Sequence, residues 1–189
     1  MSGWLQQAAG HAIARFVPSL VCHPDTPPGA IRAVEAELER IAGGVVARFR
    51  AIGDISGLVI PPPASAERTA GLWQATCFEL FVAGQGTAYR EFNLSPSGAW
   101  AAYEFDDHRS GMRDTAAVVE VETSIDNNGL TLIAKIIYEI ADPAHVGLTA
   151  VVEETDGAIR YWATAFAPGE PDFHAAAVRS LILDGVSAE

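Results

Sequence analysis

Between residues 68 and 113 the sequence reads RTAGLWQATCFELFVAGQGTAYREFNLSPSGAWAAYEFDDHRSGMR, with aromatic and aliphatic residues recurring at every second position. A period of two belongs to extended chain, because successive side chains of a strand point to opposite faces. The spacing predicts three consecutive antiparallel strands at 76–82, 89–94 and 99–105. AGQGT and SPSG separate them, and their Gly, Pro and Ser residues supply the turns.

The alternation also assigns faces. Phe78, Leu80 and Val82 share one side of the first strand; Cys77, Glu79 and Phe81 share the other. A hairpin centred on Gln85 pairs Glu79 with Glu91 and Cys77 with Asn93. A second hairpin pairing Phe92 with Ala101 places Phe78, Leu80, Phe92, Leu94, Ala101, Tyr103 and Phe105 on one apolar face. The opposite face then carries Glu79, Tyr89, Glu91, Asn93, Trp100 and Glu104. A slip of one residue in the second hairpin flips the whole third strand. Two glutamates opposed across neighbouring strands repel unless water, a shared proton, a cation or a ligand lies between them. Trp100 and Tyr89 beside them favour a binding surface over a merely solvated one.

Composition limits the partners. The chain has 189 residues, 49% hydrophobic and 19% charged, which fits one globular domain spanning 1–189 with a substantial core. Its net charge of −12 argues against nucleic acid and anionic membranes, both of which attract cationic surfaces. Two cysteines, Cys22 and Cys77, make no disulfide framework. The opening residues lack the basic start and uninterrupted apolar run of a signal peptide, and no run is long enough to span a bilayer. The expectation is a soluble, cytoplasmic protein; the oligomeric state is not legible.

Further strands are expected at 12–21, 117–123, 130–138, 148–154 and 159–166, with a short one at 180–183. The segment 30–44 fits either a helix, through Ile31, Val34, Leu38 and Ile41, or a strand whose glutamates alternate with apolar residues. The strand reading is preferred, because Gly43-Gly44 then turns the chain into VVARFRAIG and sets glutamates against arginines. Residues 53–69, with three consecutive prolines, make an irregular connection. Nine or ten strands joined by hairpin turns, with no helical crossovers, predict an all-β antiparallel β-sandwich of jelly-roll type.

The familiar catalytic and phosphate-binding motifs are missing, and the five histidines are scattered without zinc-ligand spacing. Asp106, Asp107, Asp126, Asn127 and Asn128 offer oxygens suited to Ca²⁺, although Asp-rich turns usually serve only as turns. Glu79 and Glu91 as close neighbours are compatible with a retaining glycosidase pair, a reading that nothing else in the sequence supports.

LWQATCFELFV, YREFNLSPSGAWAAYEFDDHRSGMR, IRYWATAF and GEPDFH together resemble the DOMON-like family of bacterial proteins, which are similar to family 9 carbohydrate-binding modules. The resemblance covers most of the chain. It implies a β-sandwich whose concave face binds sugar or haem. In family 9 modules a tryptophan six residues before a glutamate, with a second tryptophan near the C-terminus, sandwiches a sugar ring. Trp73 and Glu79 have that spacing here, and Trp162 fits the second position. Arg90, Arg109 and Arg113 are candidate partners for sugar hydroxyls and for the two glutamates. For haem, Met112 with His108 or His174 would be the axial candidates.

The expectation is therefore a non-enzymatic module that binds a saccharide or sugar-containing metabolite. The site would comprise Trp73, Glu79, Glu91, Asn93 and Trp100, with Arg90, Arg109, Arg113 and Trp162 around it. No cofactor is expected, with haem and Ca²⁺ as alternatives for the site and a glycoside-active enzyme using Glu79 and Glu91 as an alternative for the activity.

Overall fold

The computed structural model describes residues 15–16 and 19–184. In chain order the strands are β1 (Arg15–Phe16), β2 (Val21–Cys22), β3 (Ile31–Ile41), β4 (Gly44–Gly53), β5 (Cys77–Ala83), β6 (Tyr89–Leu94), β7 (Trp100–Phe105), β8 (Arg113–Asp114), β9 (Val118–Asp126), β10 (Gly129–Ile137), β11 (Ala144–Glu153), β12 (Ile159–Ala163) and β13 (Leu181–Leu183). One sheet runs β1-β3-β4-β10-β9. The other runs β2-β12-β11-β5-β6-β7-β8, with β13 also pairing β11. The strand pairs are antiparallel and the two sheets pack face to face, so the fold is the expected all-β sandwich. Of the strand expected at 12–21, residues 12–14 and 17–18 lie outside the described residues.

Residues 31–41 are a strand, as the glutamate alternation implies. Val34, Ala36 and Leu38 point into the sandwich, while Glu35 stands opposite Arg50 and Glu37 opposite Arg48. Arg48 and Glu37 form an ion pair of 3.5 Å. From the first sheet Val45, Ala47, Phe49, Leu132 and Ile136 meet Phe78, Leu80, Phe92, Leu94, Leu148 and Trp162 of the second. Phe49 and Phe78 touch across the layers with ring centroids 5.1 Å apart.

The other face of the second sheet is partly roofed by the chain that follows β12. Phe166, Phe173 and Val178 pack there on Phe81, Tyr89, Tyr103, Phe105 and Val151, making a second apolar cluster. Gly147 on β11 permits this approach: a Cβ there would stand 2.4 Å from the Val178 carbonyl oxygen. The candidate site lies on this outer face.

Two registers differ from expectation. Glu79 pairs with Asn93, and Glu91 with Phe81, so the first hairpin is displaced by two residues and its faces are kept. The second hairpin pairs Asn93 with Ala101 and Phe92 with Ala102, the alternative that inverts β7. Ala101, Tyr103 and Phe105 therefore lie on the glutamate face, while Trp100 and Glu104 turn to the sandwich side. Among the described residues no helix is long and apolar enough to cross a membrane.

Candidate functional site

Glu79 and Glu91 are 2% and 5% exposed, and both open on a cavity of about 740 Å³ on the outer face. The strand period puts them there beside Tyr103 and Phe105 of β7 and Val151 of β11. Three loops build the rim. Gly71, Trp73 and Gln74 come from the short 3₁₀ turn before β5, Arg109 and Met112 from the loop after β7, and Pro171, Phe173 and His174 from the roof segment. Ile159 and Tyr161 of β12 close the remaining side. Trp73 is 54% exposed, an indole left bare at the mouth.

The acids are held by neutral donors. Thr149 Oγ1 donates to Glu79 Oε2 at 2.8 Å, and Asn93 Nδ2 donates to Glu91 Oε1 at 2.7 Å. Among the described residues neither acid forms an ion pair with arginine or lysine; His174 Nε2 stands 4.0 Å from Glu91 Oε2. Burial pushes the Glu79 carboxyl up to about 8, with the charge of Glu91 adding to it, against the pull of Thr149 and Arg109. Burial likewise raises Glu91 to about 7, opposed by Asn93 and Arg109. At neutral pH the two hold about one proton between them.

His174 stays neutral there, because burial, helped by Arg109, lowers it to about 4. Its Nδ1 lies 2.7 Å from Tyr89 Oη, which accepts a hydrogen bond from the Arg109 amide at 3.2 Å. Tyr89 Oη keeps its own proton free to donate to Nδ1, and in that tautomer the ring N–H sits on Nε2, facing Glu91. Arg109, in the left-handed region at φ 51°, sends two guanidinium nitrogens to Asp172 Oδ1, at 2.8 and 3.3 Å.

Of the sequence candidates, the structure gathers Trp73, Glu79, Glu91 and Arg109 around the cavity, with Asn93 beneath as the partner of Glu91. Four lie elsewhere. Trp100 packs on the sandwich core through the inverted register of β7. Trp162 is 3% exposed and buried in that core, since its backbone partner Ala150 faces inward. Arg90 also points away from the cavity, bonding Glu104 at 3.2 Å and lying over Tyr138. Arg113 pairs with Asp106 and Glu104 at the surface. Sequence reasoning missed Tyr103, Phe105, Tyr161 and Phe173 as cavity walls. Tyr161 was within reach, because in IRYWA alternation gives Tyr161 and Trp162 opposite faces.

Met112 and His174 share the cavity, but His174 Nδ1 is taken by Tyr89 and Nε2 faces Glu91, while His108 Nε2 bonds Asp172 Oδ2 at 2.7 Å. Of the loop aspartates named for Ca²⁺, Asp106 pairs with Arg113, Asp107 accepts from the His108 amide, and Asp126 accepts from Arg50 and the Asn128 amide. Among the described residues no three His, Cys, Asp or Glu side chains gather as a metal site.

The two-sheet sandwich fold has counterparts among solved structures. A protein from Bacteroides uniformis, provisionally described as carbohydrate-binding, has a similar fold with a TM-score of 0.61 at 12% identity, over 88% of this chain and 84% of that one. A family 9 carbohydrate-binding module from Caldicellulosiruptor kristjanssonii, solved with cellotriose, superposes with a TM-score of 0.46 at 10% identity, over 83% and 75%. No protein-family model matches the sequence, and no curated protein does.

Proposed function

We propose that residues 1–189 act as one non-catalytic domain that binds a saccharide in the outer-face cavity. The observation that carries this reading is the combination of a bare indole, Trp73, with two buried carboxylates beneath it. Pyranose C–H faces stack on aromatic rings, and a carboxylate accepts hydrogen bonds from a pair of sugar hydroxyls. The cavity of about 740 Å³ has room for one or two sugar rings. Tyr103, Tyr161 and Phe173 offer apolar walls, and Gln74, Arg109 and His174 offer polar contacts at the edge. A similar fold in a protein provisionally described as carbohydrate-binding supports the reading.

The test is intrinsic fluorescence with thermal melts against a panel of mono- and disaccharides. A ligand at 100 times its Kd adds about 2.7 kcal/mol of stability. A response lost in Trp73→Ala and in Glu79→Gln, with both variants folded, is the expected result. No shift with any sugar overturns it. A second reading, glycoside hydrolysis, draws on the raised carboxyls of Glu79 and Glu91, which at neutral pH supply one acid and one base. Turnover of aryl glycosides that is abolished by Glu91→Gln would favour it.

A further inference from the structure

We propose that the ligand carries a protonated amine, seated against Glu79 and Glu91, and is therefore an amino sugar rather than a neutral or acidic one. The inference rests on the saccharide reading and names the ligand class within it.

The argument is one of charge. Each acid is nine-tenths or more buried, yet the protein gives it only neutral donors, Thr149 and Asn93, and the N–H of neutral His174 beyond them. Buried carboxylates are ordinarily matched by a cation. The cation nearest to hand, Arg109, pulls on both acids from a distance but is paired with Asp172 and contacts neither. Arg179 lies over the ring of Tyr89, 4.5 Å from its centroid, and lines a separate cavity with His108 and His145. Of the other titratable groups around the pair, Cys77, Tyr89 and Tyr103 are raised by burial and so uncharged at neutral pH, and Tyr161 lines the cavity from β12. The floor is left with an excess of negative charge under aromatic walls, a setting that favours a cation doubly, through the carboxylates and through the rings. A uronic acid would meet that charge with its own. A neutral sugar would leave it unanswered.

The raised carboxyls agree with this picture. In the free protein a shared proton does what the ammonium does in the complex, so binding near neutral pH expels that proton to solvent.

Three disaccharides on the same β-1,4 frame make the probe set: glucosamine disaccharide, its di-N-acetyl form, and cellobiose. They differ only in bearing amine, acetamide or hydroxyl at C2. Calorimetry in two buffers of different ionisation enthalpy reads both affinity and proton release. The amine form is expected to bind at least about tenfold more tightly than the other two, with proton release, and to lose that advantage in Glu91→Gln. The proton release is read on the wild-type protein, so a misfolded variant leaves the test intact. Equal binding of all three, or binding of the amine form with no proton released, overturns the inference while the saccharide reading stands. Binding of cyclohexylamine as tightly as the amino disaccharide supports the charge argument and overturns the saccharide reading. No binding by any probe overturns the inference, and the saccharide reading is then decided by the wider sugar panel.

Discussion

Asn93 donates to Glu91 Oε1 at 2.7 Å while its backbone stands directly across from Glu79, so one residue lies beside both buried acids of the cavity floor. Its Oδ1 in turn lies 3.8 Å from the Cys77 thiol. Asn93 is fully buried, and its burial is tolerable because its polar atoms have partners.

Asn93→Ala removes the donor and leaves Glu91 Oε1 unsatisfied. A cost of about 1–3 kcal/mol is expected, seen as a lower urea midpoint with an unchanged m-value. Asn93→Asp should be worse, because a third carboxylate joins two that already resist ionising. A midpoint equal to that of the wild type in both variants would mean that the amide contributes nothing.

The acid pair gives stability a definite pH dependence. A carboxyl raised from 4.5 to about 8 or about 7 binds its proton more tightly in the folded chain than in the unfolded one. Its contribution is complete below about 4.5 and is lost as pH rises through 7 to 8. His174, lowered from 6.5 to about 4, acts oppositely, and its contribution is lost as pH falls from 6.5 towards 4. Above pH 6.5 the contribution of His174 is complete, so the loss from the acids should make the melting temperature fall between there and 8. Glu79→Gln should flatten that fall and be the more stable protein at pH 8. Parallel melting curves for the two proteins across this range would contradict the shared-proton account.

The strand content and the acid-bearing face were readable from alternation alone, because a period of two survives any even shift of register. Turn geometry decided the rest. Gly86 sits at φ 63°, and the chain reverses about this glycine rather than about Gln85, which moves the first register by two and leaves its faces intact. In the next hairpin Ser95 and Ala99 close the loop, and Gly98 at φ 96° takes a left-handed position. That loop has three residues, an odd count, so β7 turns over and exchanges Trp100 for Tyr103. The roof residues Phe173 and His174 reach the site through long-range packing, which no local pattern announces.

Trp73 and Trp162 should separate cleanly. Trp73→Ala alters a half-exposed ring at the cavity mouth, so the melting temperature is expected to stay within a degree or two while saccharide binding disappears. Trp162→Ala empties a core position and is expected to cost about 3–5 kcal/mol. Ligand-induced fluorescence change should survive in Trp162→Phe and vanish in Trp73→Phe. The reverse pattern would move the binding site to Trp162.

Gly147→Ala tests whether the roof builds the cavity. A methyl group there meets the Val178 carbonyl oxygen at 2.4 Å and the Val178 Cγ1 at 2.8 Å. Backbone on both sides leaves little room to give, because β11 is clamped between β5 on one edge and β12 and β13 on the other. The yielding partner is the roof segment, which must lift at Val178 and carry Phe173 and His174 with it. A destabilisation of about 1–3 kcal/mol is expected from overpacking. Faster amide hydrogen exchange should be confined to residues 172–179 and leave β3, β4 and β10 protected. Saccharide affinity should fall although the methyl lies outside the cavity lining, since Phe173 and His174 are part of that lining. Unchanged affinity with raised exchange at the roof would mean that the strand face and Trp73 hold the ligand without it.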